Sequence, residues 1–489
     1  MATEIKALDP RPVWGYFYEL TQIPRPTGHM EAVTRYMVDF GNRLGLETRQ
    51  DATGNVVIRK PASPGFADRK PLTLQAHLDM VPQKNGHVAH DFRNDPIDAR
   101  VDGDWVRARD TTLGADNGIG VAMAMSALAD GALQHGPLEA LFTVDEEVGM
   151  DGANGLEPGF VKGRILLNCD SEEEGKLFVG CAGGADLNIS FQYGKGAPLI
   201  AGDVSVRLFL SGLKGGHSGI DIHLGRANAN KLMFRFLKEA VRSHGARLAS
   251  VSGGSLRNAI PREAEAIITL PKDNAETLWE LVADYQDLYR AEYAGVEDGI
   301  TFTAGMAGTP HVLIPEEIQD DLINAVEACQ NGVVTMLHDF PGIVESSSNL
   351  AVVESSEGLI EIKILARSSS ESRKAALLSS LESVFSLAGA KVEYGGAYSG
   401  WQPDASSPIL KVMEDVYREM YGRRPEATVM HAGLECGIIQ GVYPGIDMIS
   451  FGPDIRHPHS PAEAVSIPSV ARVWEYLKAT LAGIPAEYD

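Results

Sequence analysis

The chain has 489 residues, 44% of them hydrophobic and 22% charged, a composition typical of a soluble globular protein but too long for one hydrophobic core. Acidic residues outnumber basic ones, 66 against 43, and the net charge of −23 argues against a nucleic-acid or anionic-membrane surface. No apolar run approaches the roughly 18–20 residues that span a bilayer, the N-terminal MATEIKALDPRPVW lacks a signal pattern, and the cysteines at 169, 181, 329 and 436 lack zinc-ribbon or disulfide spacing. The expectation is a cytoplasmic protein with reduced thiols.

The first third alternates short strands rich in Val, Ile and Leu with helical segments. NVVIRK (55–60), LTLQAHLD (72–79), LEALFTVD (138–145) and RILLNCD (164–170) read as strands. GADNGIGVAMAMSALADGAL (114–133), rich in Ala and Met, reads as a helix opening near Asp116. This alternation predicts a layered α/β sheet. From about residue 185 a second alternation begins, with strands such as VSVRLFLSGL, EAEAIITL and LIEIKILARSS and helices such as ANANKLMFRFLKEAVRSHG and SRKAALLSSLESVFSLAG. After GGAYSGWQPD the α/β character of the first block returns. The reading is one domain in two parts, 1–184 and 398–489, interrupted by an α+β insertion over 185–397.

Costly polar groups collect at the ends of the first block's strands. His77 and Asp79 close one, Asp145, Glu146 and Glu147 close another, Asp170 closes LLNCD, and Asp116 opens the helix. Residues two apart on a strand share a face, so His77 and Asp79 project together. In open α/β sheets the carboxyl ends of strands line the ligand crevice. Acids converging there repel one another unless a cation sits among them. Taken singly each has a plainer reading: an N-cap for Asp116, a solvated turn for the DEE cluster. Their common edge points to a metal, and one imidazole among carboxylates suits zinc, manganese or cobalt better than calcium.

HLD (77–79), GADNG (114–118), DEE (145–147), LNCD (167–170) and GGHSGIDI (215–222) together resemble the co-catalytic metallopeptidases, which include carboxypeptidase G, peptidase T, peptidase V and the aminoacylases. HAGLECG (431–437) and PHSPAE (458–463) are most similar to the aminoacyl-histidine dipeptidase branch, also called Xaa-His dipeptidase or peptidase D. The resemblance implies a zinc-peptidase-like catalytic domain with a mixed central sheet, and an inserted lid of two similar halves. It implies two divalent ions per chain, zinc or its substitutes manganese and cobalt. His77 and Asp170 would hold one, Glu147 and His459 the other, and Asp116 would bridge them through a segment whose next peptide bond is cis. Of the two histidines in HPHS, His459 rather than His457 fits the motif.

The same resemblance makes Asp79 the partner that orients His77 and Glu146 the general base. It makes His217 the donor to the tetrahedral oxyanion, from this chain or from a partner in a homodimer. Asn258 and Arg367 would bind the substrate's terminal carboxylate, and Gly433 would line the pocket through its backbone. The expected activity is hydrolysis of small unblocked dipeptides, Xaa-His such as β-Ala-His above all. A deacylase of N-acyl amino acids or a carboxypeptidase would use the same machinery with different pocket contacts. A metal- or peptide-binding protein without turnover is the reading from another class, and the presence of Glu146 with a full ligand set speaks against it.

Overall fold

A computed structural model describes residues 2–486. Its contacts divide the chain into two compact units, Met1–Cys181 with Trp401–Val429 and Leu434–Asp489, and Ala182–Gly400 with Met430–Gly433.

The first unit is built on a mixed eight-stranded sheet. Its strands run, in spatial order, Glu47–Gln50, Val56–Lys60, Leu138–Thr143, Leu72–His77, Ile165–Asn168, Asp447–Ser450, Lys176–Cys181 and Glu426–Met430. The four middle strands, from Leu138–Thr143 to Asp447–Ser450, are parallel. Every residue of Leu72–His77 and Leu138–Thr143 is buried, as expected of parallel strands covered on both faces. Helix Ala115–Ala129 packs against this centre, with Arg11–Thr21 beside it. Its Gly and Ala positions allow close approach: a Cβ on Gly120 would collide with the Asn117 amide and the Cys169 carbonyl. A separate four-stranded sheet joins Ala99–Asp102 and Trp105–Ala108 to the hairpin Ile455–Arg456 and Ala464–Ser466.

The second unit is a nine-stranded antiparallel sheet with helices packed on it. Strands Thr301–Met306, Asp203–Ser211, Ala264–Pro271 and Arg247–Gly253 form one run, and Val344–Ser356, Leu359–Ser368, Gly183–Gln192 and Lys391–Tyr398 another, with Gly332–Met336 as the ninth strand paired to Val344–Ser356. The two runs meet where Ser252 and Gly253 pair with Glu354 and Val353. The core holds Phe191, Phe234, Phe236, Tyr289, Phe302 and Phe385. A ribbon of Gly216–His217 and Ala259–Ile260 stands off the main sheet.

Among the described residues no helix is long and apolar enough to cross a membrane. All four cysteines are buried, and none is in a disulfide among the described residues. Overpacking a filled interior costs about 1–3 kcal/mol. Gly120→Ala should therefore lower the thermal midpoint of the metal-free protein, and a scan by circular dichroism checks this.

Candidate metal centre

The parallel strands end at one edge of the sheet, so the chain leaving each of them carries its polar residues to the same place. His77 is the last residue of its strand, Asp145 to Glu147 follow Leu138–Thr143, and Asp170 follows Ile165–Asn168. Asp116 sits in the first turn of Ala115–Ala129, where its backbone departs from helical angles and its bond to Asn117 is cis. His459 comes from the hairpin loop between Ile455–Arg456 and Ala464–Ser466. Asp145, His457 and His459 all lie in the left-handed backbone region, at φ of 51°, 52° and 57°.

Two donor groups result, and they share one carboxylate. His77 Nε2 lies 3.1 Å from Asp116 Oδ1 and 3.3 Å from Asp170 Oδ1. His459 Nε2 lies 3.1 Å from Asp116 Oδ2 and 3.0 Å from Glu147 Oε2. Donors to one zinc ion, at bond lengths of about 2.0–2.2 Å, stand about 3–3.5 Å apart, so these spacings fit an ion in each group. A third group joins His77 to Glu146 and Glu147. Glu147 also keeps a buried oxygen, Oε1, without a hydrogen-bond partner. The donors, their spacing and that orphaned atom all suit divalent cations.

Asp79 is fully buried below the groups. Its Oδ1 lies 3.3 Å from His77 Nδ1 and accepts the Glu146 N–H at 3.0 Å, while Oδ2 accepts the Glu147 N–H at 3.1 Å and the Thr27 hydroxyl at 2.9 Å. One carboxylate thus stands beside the ring of His77 and holds the backbone of both glutamates. A buried layer continues beneath it. Gln75 Nε2 donates to Glu435 Oε2 at 2.6 Å and Asn168 donates to Gln75 at 2.5 Å. The Thr143 hydroxyl donates to the same Glu435 oxygen at 2.8 Å. Gln75, Thr143 and Asn168 lie on the three strands that lead to the donors.

Charge dominates the chemistry here. Burial, followed by repulsion from Asp170, Glu435 and Glu147, raises the Glu146 carboxyl well above the ordinary carboxylate range. Burial likewise raises Glu147 and Asp170, pushes Glu435 to about 7, and pushes Glu172, beside Asp116 and Asp170, to about 8. Burial also opposes charge on His77, but Asp170, Asp116 and Asp79 outweigh it and raise its pKa well above the imidazole norm. Hydrogen bonds to Asp116 and Glu147 raise His459 to about 11. Carboxylates reluctant to ionise together, beside imidazoles that recruit protons, mark a place short of positive charge.

The remaining expected residues lie in the second unit. His217 Nδ1 accepts the N–H groups of Gly219 and Ile220 at 3.1 and 3.0 Å, so the neutral ring carries its proton on Nε2. Burial, then the nearby Arg367 guanidinium, lowers its pKa to about 4. Arg367 is 5% exposed, donates to the Tyr398 hydroxyl at 2.5 Å, and keeps a buried Nε without a partner. Asn258 is exposed, and its carbonyl accepts the Ser218 N–H at 2.8 Å. Gly433 lies two residues after His431, a buried imidazole whose Nε2 is 2.7 Å from the Ser347 hydroxyl. Sequence reasoning gave no role to His431, Arg25, Glu172, Glu435 or Glu463. Glu435 and Glu463 stand inside the motifs HAGLECG and PHSPAE, which was the available signal.

Residues 73–483 match the family model described as Peptidase family M20/M25/M40. The chain belongs to that family. Across 485 residues this M20 peptidase is 44% identical to the cytosol non-specific dipeptidase of Escherichia coli (strain K12), covering 99% of the chain and 100% of the relative. It superimposes on the crystal structure of aminoacylhistidine dipeptidase from Vibrio alginolyticus with a TM-score of 0.93 at 46% identity, covering 99% of this chain and 98% of that one. Aminopeptidase PepT from Bacillus cereus ATCC 10987 shares the fold at a TM-score of 0.57 and 16% identity, over 98% and 99% of the two chains.

His217 and His431 give the M20 peptidase an acid-sensitive second unit. Burial, then Arg367, His217 and His223, lowers His431 to about 3. Both folded-state values lie below the unfolded value of about 6.5, so the two rings favour the fold when neutral. That contribution is complete above about pH 6.5 and is lost as the pH falls toward about 4 and 3. His431→Gln should flatten the fall of the urea midpoint between pH 7 and pH 4.5 relative to the parent.

Proposed function

We propose that the chain is a two-metal dipeptidase acting on unblocked dipeptides, with preference for C-terminal histidine as in β-Ala-His. The observation that carries the reading is the pair of donor groups sharing Asp116, with the Glu146 carboxyl beside them. The end-to-end likeness to relatives named as dipeptidases supports the substrate class, and the name of the V. alginolyticus protein supports the histidine preference. The word cytosol in the E. coli relative's name supports a cytoplasmic location.

In this reading His77, Asp116 and Asp170 hold one ion, and Asp116, Glu147 and His459 hold the other, with zinc the fitting metal and manganese or cobalt as substitutes. The ions supply Lewis acidity, polarising the scissile carbonyl and making water acidic enough to be deprotonated near neutral pH. Asp79 fixes the tautomer of His77 by accepting at Nδ1 and keeps Nε2 directed at the donor group. Glu146 takes a proton from the attacking water as its oxygen bonds to the peptide carbon. It then passes that proton to the amine as the C–N bond breaks.

The second unit supplies recognition. His217, neutral with a proton on Nε2, is the donor to the oxyanion. Arg367 is a buried guanidinium with no carboxylate at ion-pair distance among the described residues, and its fork matches a substrate's terminal carboxylate. Asn258 completes that contact through its side-chain amide, and Gly433 lines the pocket through its backbone.

The purified protein should hydrolyse β-Ala-His and other free dipeptides, lose activity on chelation and regain it with zinc or manganese. Cleavage of N-acetyl amino acids alone, or of nothing with any metal, would refute the dipeptidase reading. Glu146→Gln should cut kcat by about 10²–10⁴-fold while the variant still binds metal, as metal analysis after gel filtration would show. Arg367→Met should raise KM far more than it lowers kcat, and the gap should close for a dipeptide whose C-terminus is amidated.

A further inference from the structure

Asp116 reaches both donor groups because a short turn, Leu113 to Asp116, presents it there. The amides of that turn are satisfied by a single side chain from far along the sequence. Glu463 Oε2 accepts from the N–H groups of Leu113 at 2.7 Å and Gly114 at 3.0 Å, and Oε1 accepts from Ala115 at 2.7 Å and Asp116 at 3.2 Å. An ionised carboxylate has lone pairs for four such donors, which neither a hydroxyl nor an amide oxygen has. On the carbonyl side, Arg25 Nη2 donates to Gly114 at 2.5 Å, and Nη1 donates to Leu78 at 2.8 Å and Asp79 at 3.0 Å. Both charged groups are 2% exposed.

The fit of the turn leaves no slack. Gly114 has φ +71°, and a Cβ there would lie 2.6 Å from Arg25 Nη2 and 2.8 Å from Met80 Sδ. Glu463 also belongs to the hairpin loop that carries His459, four residues before it. One carboxylate therefore joins the segment bearing Asp116 to the segment bearing His459, while Arg25 joins the Asp116 turn to the chain just past His77. Removing either leaves the turn free to rotate the Asp116 carboxylate away from one of its two imidazoles.

We propose that Glu463 and Arg25 are positioning residues of the metal centre, clamping the Leu113–Asp116 turn from its amide and carbonyl sides so that Asp116 offers one oxygen to each donor group. This inference rests on the two-metal reading above. Neither residue contacts the reacting atoms in this scheme; each acts through the backbone that carries a ligand.

The test is a metal-binding isotherm. Metal-stripped parent, Glu463→Gln and Arg25→Lys are titrated with Zn2+ against a chromophoric chelator, and the thermal midpoint of each metal-free form is recorded alongside. The parent should bind two ions. Each variant should bind at least one of them about 10–100-fold more weakly, the usual loss when the partner of a ligand is removed. Two parental affinities in the variants, whatever their midpoints, would overturn the clamp and leave a purely structural role. A parent that binds fewer than two ions would overturn the metal-centre reading itself, a result distinct from the first. Arg25→Lys keeps the charge but not the fork that spans three carbonyls, so it decides the matter if Glu463→Gln does not fold.

Discussion

More carboxylate is gathered at the ends of the parallel strands than the surrounding cations can neutralise. Asp116, Glu146, Glu147 and Asp170 stand beside two imidazoles, with Asp79, Glu172, Glu435 and Glu463 close behind them. Burying such a group without positive charge is expensive. The rest of the first unit is arranged around that constraint. Hydrogen bonds hold the outer acids: Asp79 by backbone amides and a hydroxyl, Glu435 by Gln75 and Thr143, Glu463 by four amides. Asp116, Glu147 and Asp170 instead turn oxygen atoms toward the two imidazoles.

The second unit shows the opposite electrostatic character at its own cluster. Arg367 is buried with a partnerless Nε, and its field helps keep His217 and His431 neutral. Neutral imidazoles beside a guanidinium make a place that donates hydrogen bonds and attracts an anion.

The central strands were legible because burial on both faces demands unbroken runs of Val, Leu and Ile, which LTLQAH and LEALFT supply. The acids were legible because they follow those runs directly. Strand Val344–Ser356 was not, since it carries buried serines where an apolar residue would announce it. Ser346 pairs with Ser368, Ser347 with His431, and Ser348 with the Gln330 carbonyl, contacts made across the fold that composition cannot foretell. Strand Gly183–Gln192 was hidden by the glycines at its start. Arg25 and Glu463 escaped for another reason. They act on backbone amides and carbonyls, which every residue possesses, so their partners leave no mark in the sequence.

The hairpin that carries His459 also sets the order in which the protein can become whole. Asp116 precedes His459 by 343 residues, with the entire second unit made between them. During synthesis the early strands and their acids emerge first, and domains generally fold in that order. Until the late hairpin arrives, the nascent sheet lacks one imidazole and the carboxylate that braces the Asp116 turn. The two donor groups that share Asp116 can therefore be complete only once the chain through His459 has been made.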